Sequence, residues 1–150
     1  MARRIIAVIG TGADEPQCRE RARAVGRLLA ERGCVVATGG LGGVMEAAAR
    51  GAREAGGLVL GILPGASPAD ANPYVDLAVA TGLGDARNAI LCNTAEAFVA
   101  VGGSYGTLSE IAFALKRGKR VAALGSWQHA DLPVLRALTP EEAVALALGE

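Results

Sequence analysis

The sequence is poor in the residues that build metal centres, disulfide frameworks and nucleophile–histidine pairs. Its 150 residues include only three cysteines, Cys18, Cys34 and Cys92, without a C-x-x-C pair, and a single histidine, His129. A zinc site, a disulfide scaffold and Ser-His-Asp or Cys-His catalysis therefore lack their components. We expect no metal and no resident cofactor, and the cysteine usage favours a reducing, cytoplasmic location.

Charge of one sign and long apolar runs are also missing. Lysine and arginine number 15, as do aspartate and glutamate, so the formal net charge at pH 7 is zero. Apolar residues make up 51% of the chain, yet no uninterrupted run approaches the roughly 18 residues of a membrane span. The start, MARRIIAVIG, lacks a convincing cleavage site and predicts a first strand rather than a signal peptide. We therefore expect a soluble protein with no nucleic-acid partner and no membrane partner.

Short β-type apolar runs alternate with helical patterns throughout the chain. This order predicts an α/β fold with a single domain, residues 1–150, built on a three-layer, doubly wound, Rossmann-like parallel sheet. Helices are expected at about 17–32, 44–54 and 85–93, the last with Asp85 as N-cap, and a terminal helix is expected with Thr139 as N-cap. A weaker strand is expected over 75–81, and a short edge strand before the terminal helix.

Three glycine-rich turns follow predicted strands: GTGADE, TGGLGGVME and GGSYGTLSE. The carboxyl ends of parallel strands share one edge of the sheet, so the turns are expected to form one composite cleft. Glycines let the backbone approach a ligand and helix starts favour an anion, although plain turn geometry explains the glycines about as well. Nucleotide fingerprints fail, because Glu15 stands where the dinucleotide motif needs Gly or Ala and no G-x-x-x-x-G-K-[ST] exists.

The decapeptide VGGSYGTLSE, residues 101–110, leaves two interpretations open. Thr107 and Glu110 have the T-x-x-E spacing of a capping box, in which both side chains only start a helix. Alternatively, Glu110 is a functional acid beside an anion-binding turn. The decapeptide alone does not separate the two.

Two of the turns, taken together, resemble the LONELY GUY family, the cytokinin riboside 5'-monophosphate phosphoribohydrolases once described as lysine decarboxylases. VGGSYGTLSE is similar to the family motif P-G-G-x-G-T-x-x-E, with Val101 in place of the proline. GGLGGVMEAAARGAREAGGLVLGILPG is similar to the second glycine motif, with Glu46 in place of a glycine. DARNAIL is similar to the R-K helix of the family, with Asn88 after Arg87. The likeness spans about residues 5–125.

The resemblance implies hydrolysis of the N-glycosidic bond of a nucleoside 5'-monophosphate, which releases a free base and ribose 5-phosphate. It implies Arg87 and Glu110 as catalytic residues, with the carboxylate near the anomeric carbon and the guanidinium on phosphate or sugar hydroxyls. A surface arginine near a helix start is the alternative for Arg87. The residues expected to bind phosphate or line the nucleotide cleft are Thr11, Gly12, Gly39, Gly40, Gly43, Gly102, Gly103, Ser104, Tyr105, Gly106 and Thr107.

The missing proline and the short tail favour a second hypothesis. The chain also resembles molybdenum-cofactor carrier proteins, in which the same cleft would hold a phosphorylated pterin without cleaving it. A third hypothesis is a ligand-sensing module that acts through an assembly partner. The expected ligand is a nucleoside monophosphate or a similar phosphorylated small molecule.

Family members are similar in forming homodimers, so the resemblance implies a homodimer or higher homo-oligomer. Ala-rich helices such as VMEAAARGA are candidates for its interface. Tyr105 and Trp127 are possible contacts to a base, but for both, as for Met45, packing is the favoured interpretation. Glu46 is expected to be an acid in the first turn of a helix.

Overall fold

The computed structural model describes residues 3–127, 129 and 131–150 of the chain. The strands of these residues are β1 (Ile5–Gly10), β2 (Val35–Thr38), β3 (Val59–Leu63), β4 (Leu77–Ala80), β5 (Ala97–Val101), β6 (Arg120–Leu124) and β7 (Leu135–Ala137). The α-helices are α1 (Pro16–Glu31), α2 (Val44–Glu54), α3 (Arg87–Thr94), α4 (Tyr105–Lys116) and α5 (Pro140–Leu148). The loop expected around His129 includes residues 128 and 130, which lie outside the described residues.

The seven strands form one sheet in the order β4-β3-β2-β1-β5-β6-β7, and every neighbouring pair is parallel. Apolar residues of α1, α2 and α5 are buried with one face of the sheet, and those of α3 and α4 are buried with the other. The predicted three-layer, doubly wound fold is confirmed. The strand order reverses between β1 and β5, which is where open α/β sheets bind ligands.

Local sequence signals explain most helix ends. Pro16 occupies the first position of α1, and Gly33 follows that helix with a φ of 75°, a conformation that glycine adopts without strain. Thr139 caps α5, because its Oγ1 accepts a hydrogen bond of 3.1 Å from the Glu142 amide. Pro140 then stands at the first position of that helix.

One predicted N-cap is wrong, and one of the two open interpretations of the decapeptide is excluded. Asp85 lies inside a short 3-10 helix, Gly84–Ala86, that leads directly into α3 and makes no side-chain cap. The capping box of Thr107 and Glu110 does not form, because α4 already begins at Tyr105 after the N-cap residue Ser104. Thr107 is thus inside the first turn of α4. Glu110 lies one turn further on and is buried, so neither side chain caps the helix.

The Ala-rich segment of α2 serves the interior of the chain. Ala48, Ala49 and Ala52 are fully buried in the cluster formed with α1 and the sheet. A Cβ atom at Gly26 of α1 would run into the backbone of Ala48, so these two helices approach each other closely. The alanines are therefore not free to pack against a second copy, contrary to the expectation from sequence. Among the described helices, none is long and apolar enough to cross a membrane.

Candidate functional site

A cleft of about 190 Å³ opens at the carboxyl edge of the sheet, where the strand order reverses. It brings together the turns after β1, β2 and β5 with the start of α3. Its lining residues are Val8, Ile9, Gly10, Thr11, Gly12, Gly39, Met45, Asp85, Arg87, Asn88, Ser104, Gly106, Thr107 and Glu110. The predicted composite cleft therefore exists, with Arg87 and Glu110 both in its wall.

The glycine turn after β5 presents a row of free amides. None of the N–H groups of residues 103–107 donates a hydrogen bond to another described residue, and no side chain caps α4. The turn takes this shape because Gly102 and Gly103 have φ values of 59° and 102°, which residues with a Cβ atom rarely adopt. Successive free amides at the start of a helix form a favourable site for an anion. The Thr107 hydroxyl, also without a partner, lies in the wall of the same cleft.

Arg87 is held by one of its terminal nitrogens and leaves the rest of its guanidinium free. Nη1 donates to the Gly39 carbonyl at 2.5 Å and to the Ile62 carbonyl at 2.8 Å. Nε is buried without a partner, and Nη2 makes no hydrogen bond to a described residue. Nε and Nη2 are the two parallel donors with which arginine binds carboxylate or phosphate bidentately. Burial lowers the pKa of Arg87, while Glu110 and Asp85 raise it.

Glu110 is a buried acid without a direct partner. Its exposed fraction is 9%, and it forms no ion pair with Arg87 or with any other described residue. Burial raises its pKa from 4.5 to about 7, and the nearby charge of Arg87 lowers it. Burial therefore outweighs the attraction of Arg87. The protonated form of Glu110 is therefore favoured to a higher pH than in an exposed glutamate.

Asn88 presents a hydrogen-bond acceptor to the cleft, and a chain of hydrogen bonds determines this orientation. Ser109 Oγ donates its single proton to the Gly106 carbonyl at 2.7 Å, so this oxygen can only accept from Asn88. Asn88 Nδ2 donates to it at 3.2 Å. The Oδ1 atom of Asn88 must then face away from Ser109, and it has no partner among the described residues.

The other predicted site residues do not line the cleft. Gly40 packs against Leu63, and Gly43 lies so close to Thr11 that a Cβ atom would meet its carbonyl. Gly102 and Gly103 give the turn its shape through their positive φ values but are not lining residues of the cleft. Tyr105 points outward with 81% exposure and lies beside Trp127, with a ring-centroid distance of 6.1 Å. The ring contact of Tyr105 with Trp127 is therefore at the surface of the protein.

Sequence reasoning missed two side chains of the cleft wall. Met45 lines it rather than serving the core alone, and Asn88 was noted only as a departure from the R-K pair. The position of Asn88, directly after Arg87 at the start of α3, was the signal that could have identified it. No cluster of three or more potential metal ligands occurs within residues 3–127, 129 and 131–150.

A larger groove of about 290 Å³ is lined by residues of α1 and α2, and its three arginines are already paired. Arg23 and Arg50 both bond Glu54, and Arg19 forms an ion pair with Asp14. Among the described residues, Nε of Arg87 is the only side-chain nitrogen or oxygen atom that is fully enclosed and has no partner, and Arg87 lines the cleft. The unsatisfied polar groups that indicate a ligand are therefore in the cleft and not in this groove.

Comparison with known families identifies the chain. Residues 3–146 match the SLOG cluster4 family. The chain belongs to the SLOG cluster4 family. The resemblance to LONELY GUY proteins is confirmed for the wider LOG-like superfamily. Membership of the LONELY GUY family itself is not confirmed.

Similar proteins agree with the SLOG cluster4 assignment over nearly the whole chain. An uncharacterized protein of Archaeoglobus fulgidus is 49% identical over 140 residues, 93% of this chain and 91% of the relative. The molybdenum cofactor binding protein of Rippkaea orientalis is 38% identical with a TM-score of 0.93, covering 99% and 98% of the two chains. The molybdenum cofactor carrier protein of Chlamydomonas reinhardtii is 34% identical with a TM-score of 0.87, covering 99% and 98%.

Proposed function

We propose that this protein binds a phosphorylated heterocyclic small molecule in the cleft and carries it intact, with the phosphorylated pterin of the molybdenum cofactor as its cargo. The similarity to a molybdenum cofactor binding protein and to a molybdenum cofactor carrier protein supports this choice over the hydrolase. The cleft is smaller than the roughly 300 Å³ at which small-molecule pockets begin. It suits a phosphate with the group next to it, while the heterocycle lies at the mouth.

The observation that carries the proposal is the convergence of free donors on one cleft. Ser104, Gly106 and Thr107, which belong to the run of unpaired amides, line the cleft, and so does Arg87, whose Nε and Nη2 have no partner among the described residues. A phosphate has enough acceptor oxygens to bind both sets at once. No neutral ligand of that size offers as many acceptors.

The raised pKa of Glu110 favours a carrier function rather than a hydrolase function. Its pKa is already about 7 without a ligand. A phosphate in the same cleft raises this pKa further, because two negative charges repel each other in a site of low dielectric constant. Glu110 therefore binds the ligand as a neutral acid, which avoids repulsion but supplies no negative charge to stabilise an oxocarbenium ion.

A second candidate function is hydrolysis of a nucleoside 5'-monophosphate, and the position of Glu110 in the wall favours it. A protonated carboxyl group next to a bound ribose phosphate can give its proton to a leaving base while water adds to the anomeric carbon. Arg87 would hold the phosphate in this reaction as well. The products would be a free base and ribose 5-phosphate.

One set of titrations separates these functions. We would measure the binding of ribose 5-phosphate, AMP and molybdenum cofactor released from a molybdoenzyme to wild type, Arg87→Ala and Arg50→Ala. The last variant removes an arginine from the helical groove outside the cleft and serves as the matched control. Binding of all three ligands that is lost only in Arg87→Ala, with no release of ribose 5-phosphate from AMP, supports the carrier. Release of ribose 5-phosphate that is abolished in Glu110→Gln would replace the carrier with the hydrolase.

We further propose a homo-oligomer, now through β4 rather than α2. Leu77 and Val79 of this edge strand are 54% and 44% exposed, and their register with Leu60 and Ile62 places them on the α3 and α4 side of the sheet. An exposed apolar edge strand of this kind is usually covered. Light scattering should give a multimer for wild type and a monomer for Leu77→Lys. The cytoplasmic location stays a prediction.

A further inference from the structure

Two residues after β6 hold the glycine turn from outside the cleft. Ser126 Oγ donates a hydrogen bond of 2.6 Å to the Gly102 carbonyl. Trp127 Nε1 donates one of 2.9 Å to the Ser104 carbonyl. Neither residue lines the cleft, whereas Ser104 does. Ser126 and Trp127 thus bond the turn at two carbonyls, those of Gly102 and Ser104. A ligand bound in the cleft would not touch either donor residue.

These two hydrogen bonds help to fix the direction of two amides, and the Ser104 carbonyl also accepts a hydrogen bond of 3.0 Å from the Leu108 amide of α4. In a trans peptide unit the carbonyl and the following N–H point in opposite directions, and the described residues contain no cis peptide. The Gly102 carbonyl shares its peptide unit with the Gly103 N–H, and the Ser104 carbonyl shares its unit with the Tyr105 N–H. Both N–H groups therefore point away from the segment after β6.

The turn needs hydrogen bonds from another segment because its own residues restrict the backbone conformation little. Gly102 and Gly103 have positive φ values and lose more conformational freedom on ordering than other residues. Val101, at the position of the proline in the motif that this turn resembles, does not restrict φ as proline does. No side chain within the turn caps its amides. For the Gly102–Gly103 peptide plane, the hydrogen bond from Ser126 is the contact that remains to fix it.

We propose that Ser126 and Trp127 are positioning residues that hold the Gly103 and Tyr105 amides toward a bound phosphate. This inference rests on the proposed function of the cleft as an anion site. The ring of Tyr105 lies beside that of Trp127 at an interplanar angle of 34°, which adds a second contact between the two segments. The preorganised amides then require little reorganisation when the anion binds.

Calorimetric titration with ribose 5-phosphate tests the inference. Ser126→Ala and Trp127→Phe each remove one donor, and each should lower the affinity by about three- to tenfold, the factor expected for one hydrogen bond. Ser126→Thr keeps the hydroxyl donor and should restore the affinity. Thr139→Ala is the matched control, since it removes the cap hydrogen bond of α5 and should lower stability without changing the affinity.

Two further readouts separate positioning from mere stabilisation. Trp127 is the only tryptophan of the chain, so ribose 5-phosphate should change the fluorescence of the wild-type protein. Amide resonances of Gly103 and Tyr105 should shift on binding in wild type and should be displaced in Ser126→Ala before any ligand is added. Equal affinity of wild type, Ser126→Ala and Trp127→Phe would overturn the inference and leave the anion site intact. Absence of binding to wild type would overturn both.

Discussion

Glu110→Gln should stabilise the folded protein at neutral pH, although it alters the candidate site. The carboxyl group is buried and lacks a direct partner among the described residues. Burial raises its pKa from 4.5 to about 7 despite the nearby Arg87. Glutamine has nearly the same shape but carries no charge that must leave water. The substitution therefore removes a penalty that the native residue imposes on folding.

The size and sign of this effect follow from proton binding. Glu110 keeps its proton up to about pH 7 in the folded protein but loses it near pH 4.5 in the unfolded chain. Between these pH values the folded state binds more protons, so the contribution of Glu110 to the free energy of unfolding falls as the pH rises. At about 1.36 kcal/mol per pKa unit, the loss reaches about 3 kcal/mol at neutral pH and stays at that level above it.

Urea unfolding between about pH 4.5 and about pH 8 measures this loss. The difference in unfolding free energy between Glu110→Gln and wild type should be small at the acid end and rise to about 3 kcal/mol at the other end. Glu141→Gln, which changes an exposed glutamate of α5, should show a difference that varies little with pH. A difference for Glu110→Gln that does not grow with pH would refute the reasoning, because the carboxyl group would then be ionised without penalty.

Four further substitutions test the geometry of the cleft. Arg87→Lys keeps the charge but lacks the Nε–Nη2 edge, so calorimetry should show at least about tenfold weaker binding of ribose 5-phosphate; unchanged affinity would contradict the bidentate role. Gly103→Ala places a Cβ atom against Thr107 at a φ of 102° and should lower Tm. The Cβ atom of Gly106→Ala meets open space, so this control should alter the free energy of unfolding by less than about 1 kcal/mol. Asn88→Leu should weaken AMP about three- to tenfold while leaving inorganic phosphate unchanged, and equal losses for both ligands would argue against an acceptor role for Oδ1.

The sequence was sufficient to predict the sheet and the place of the cleft. Continuous apolar runs such as that of β5 identify buried parallel strands without structural information, and glycines after β1, β2 and β5 mark the turns at one edge. The weak strand predicted over 75–81 is β4, and its weakness reflects its position at the edge of the sheet with an exposed face. Periodicity and turn residues carry this information locally.

Long-range partners were not predictable in the same way. The spacing of Thr107 and Glu110 fits a capping box with Thr107 as N-cap, but the N-cap of α4 is Ser104, three residues earlier, and Glu110 lines the cleft. The orientation of the Asn88 amide depends on Ser109, 21 residues away. The hydrogen bond from Trp127 Nε1 to the Ser104 carbonyl joins residues that are 23 positions apart. Such contacts depend on which segments the fold brings together, and a local pattern contains no signal for them.

Two features of the cleft would each destabilise the folded chain without a ligand. The Nε of Arg87 is buried without a partner, and Glu110 is desolvated. A buried unsatisfied donor alone costs about 1–3 kcal/mol, and folding does not favour gathering such groups at one point. A phosphate would satisfy the amides and the arginine edge together, and Glu110 would accommodate its charge by taking up a proton. The assignment of a phosphate site therefore rests on this cost, which is independent of any similarity to other proteins.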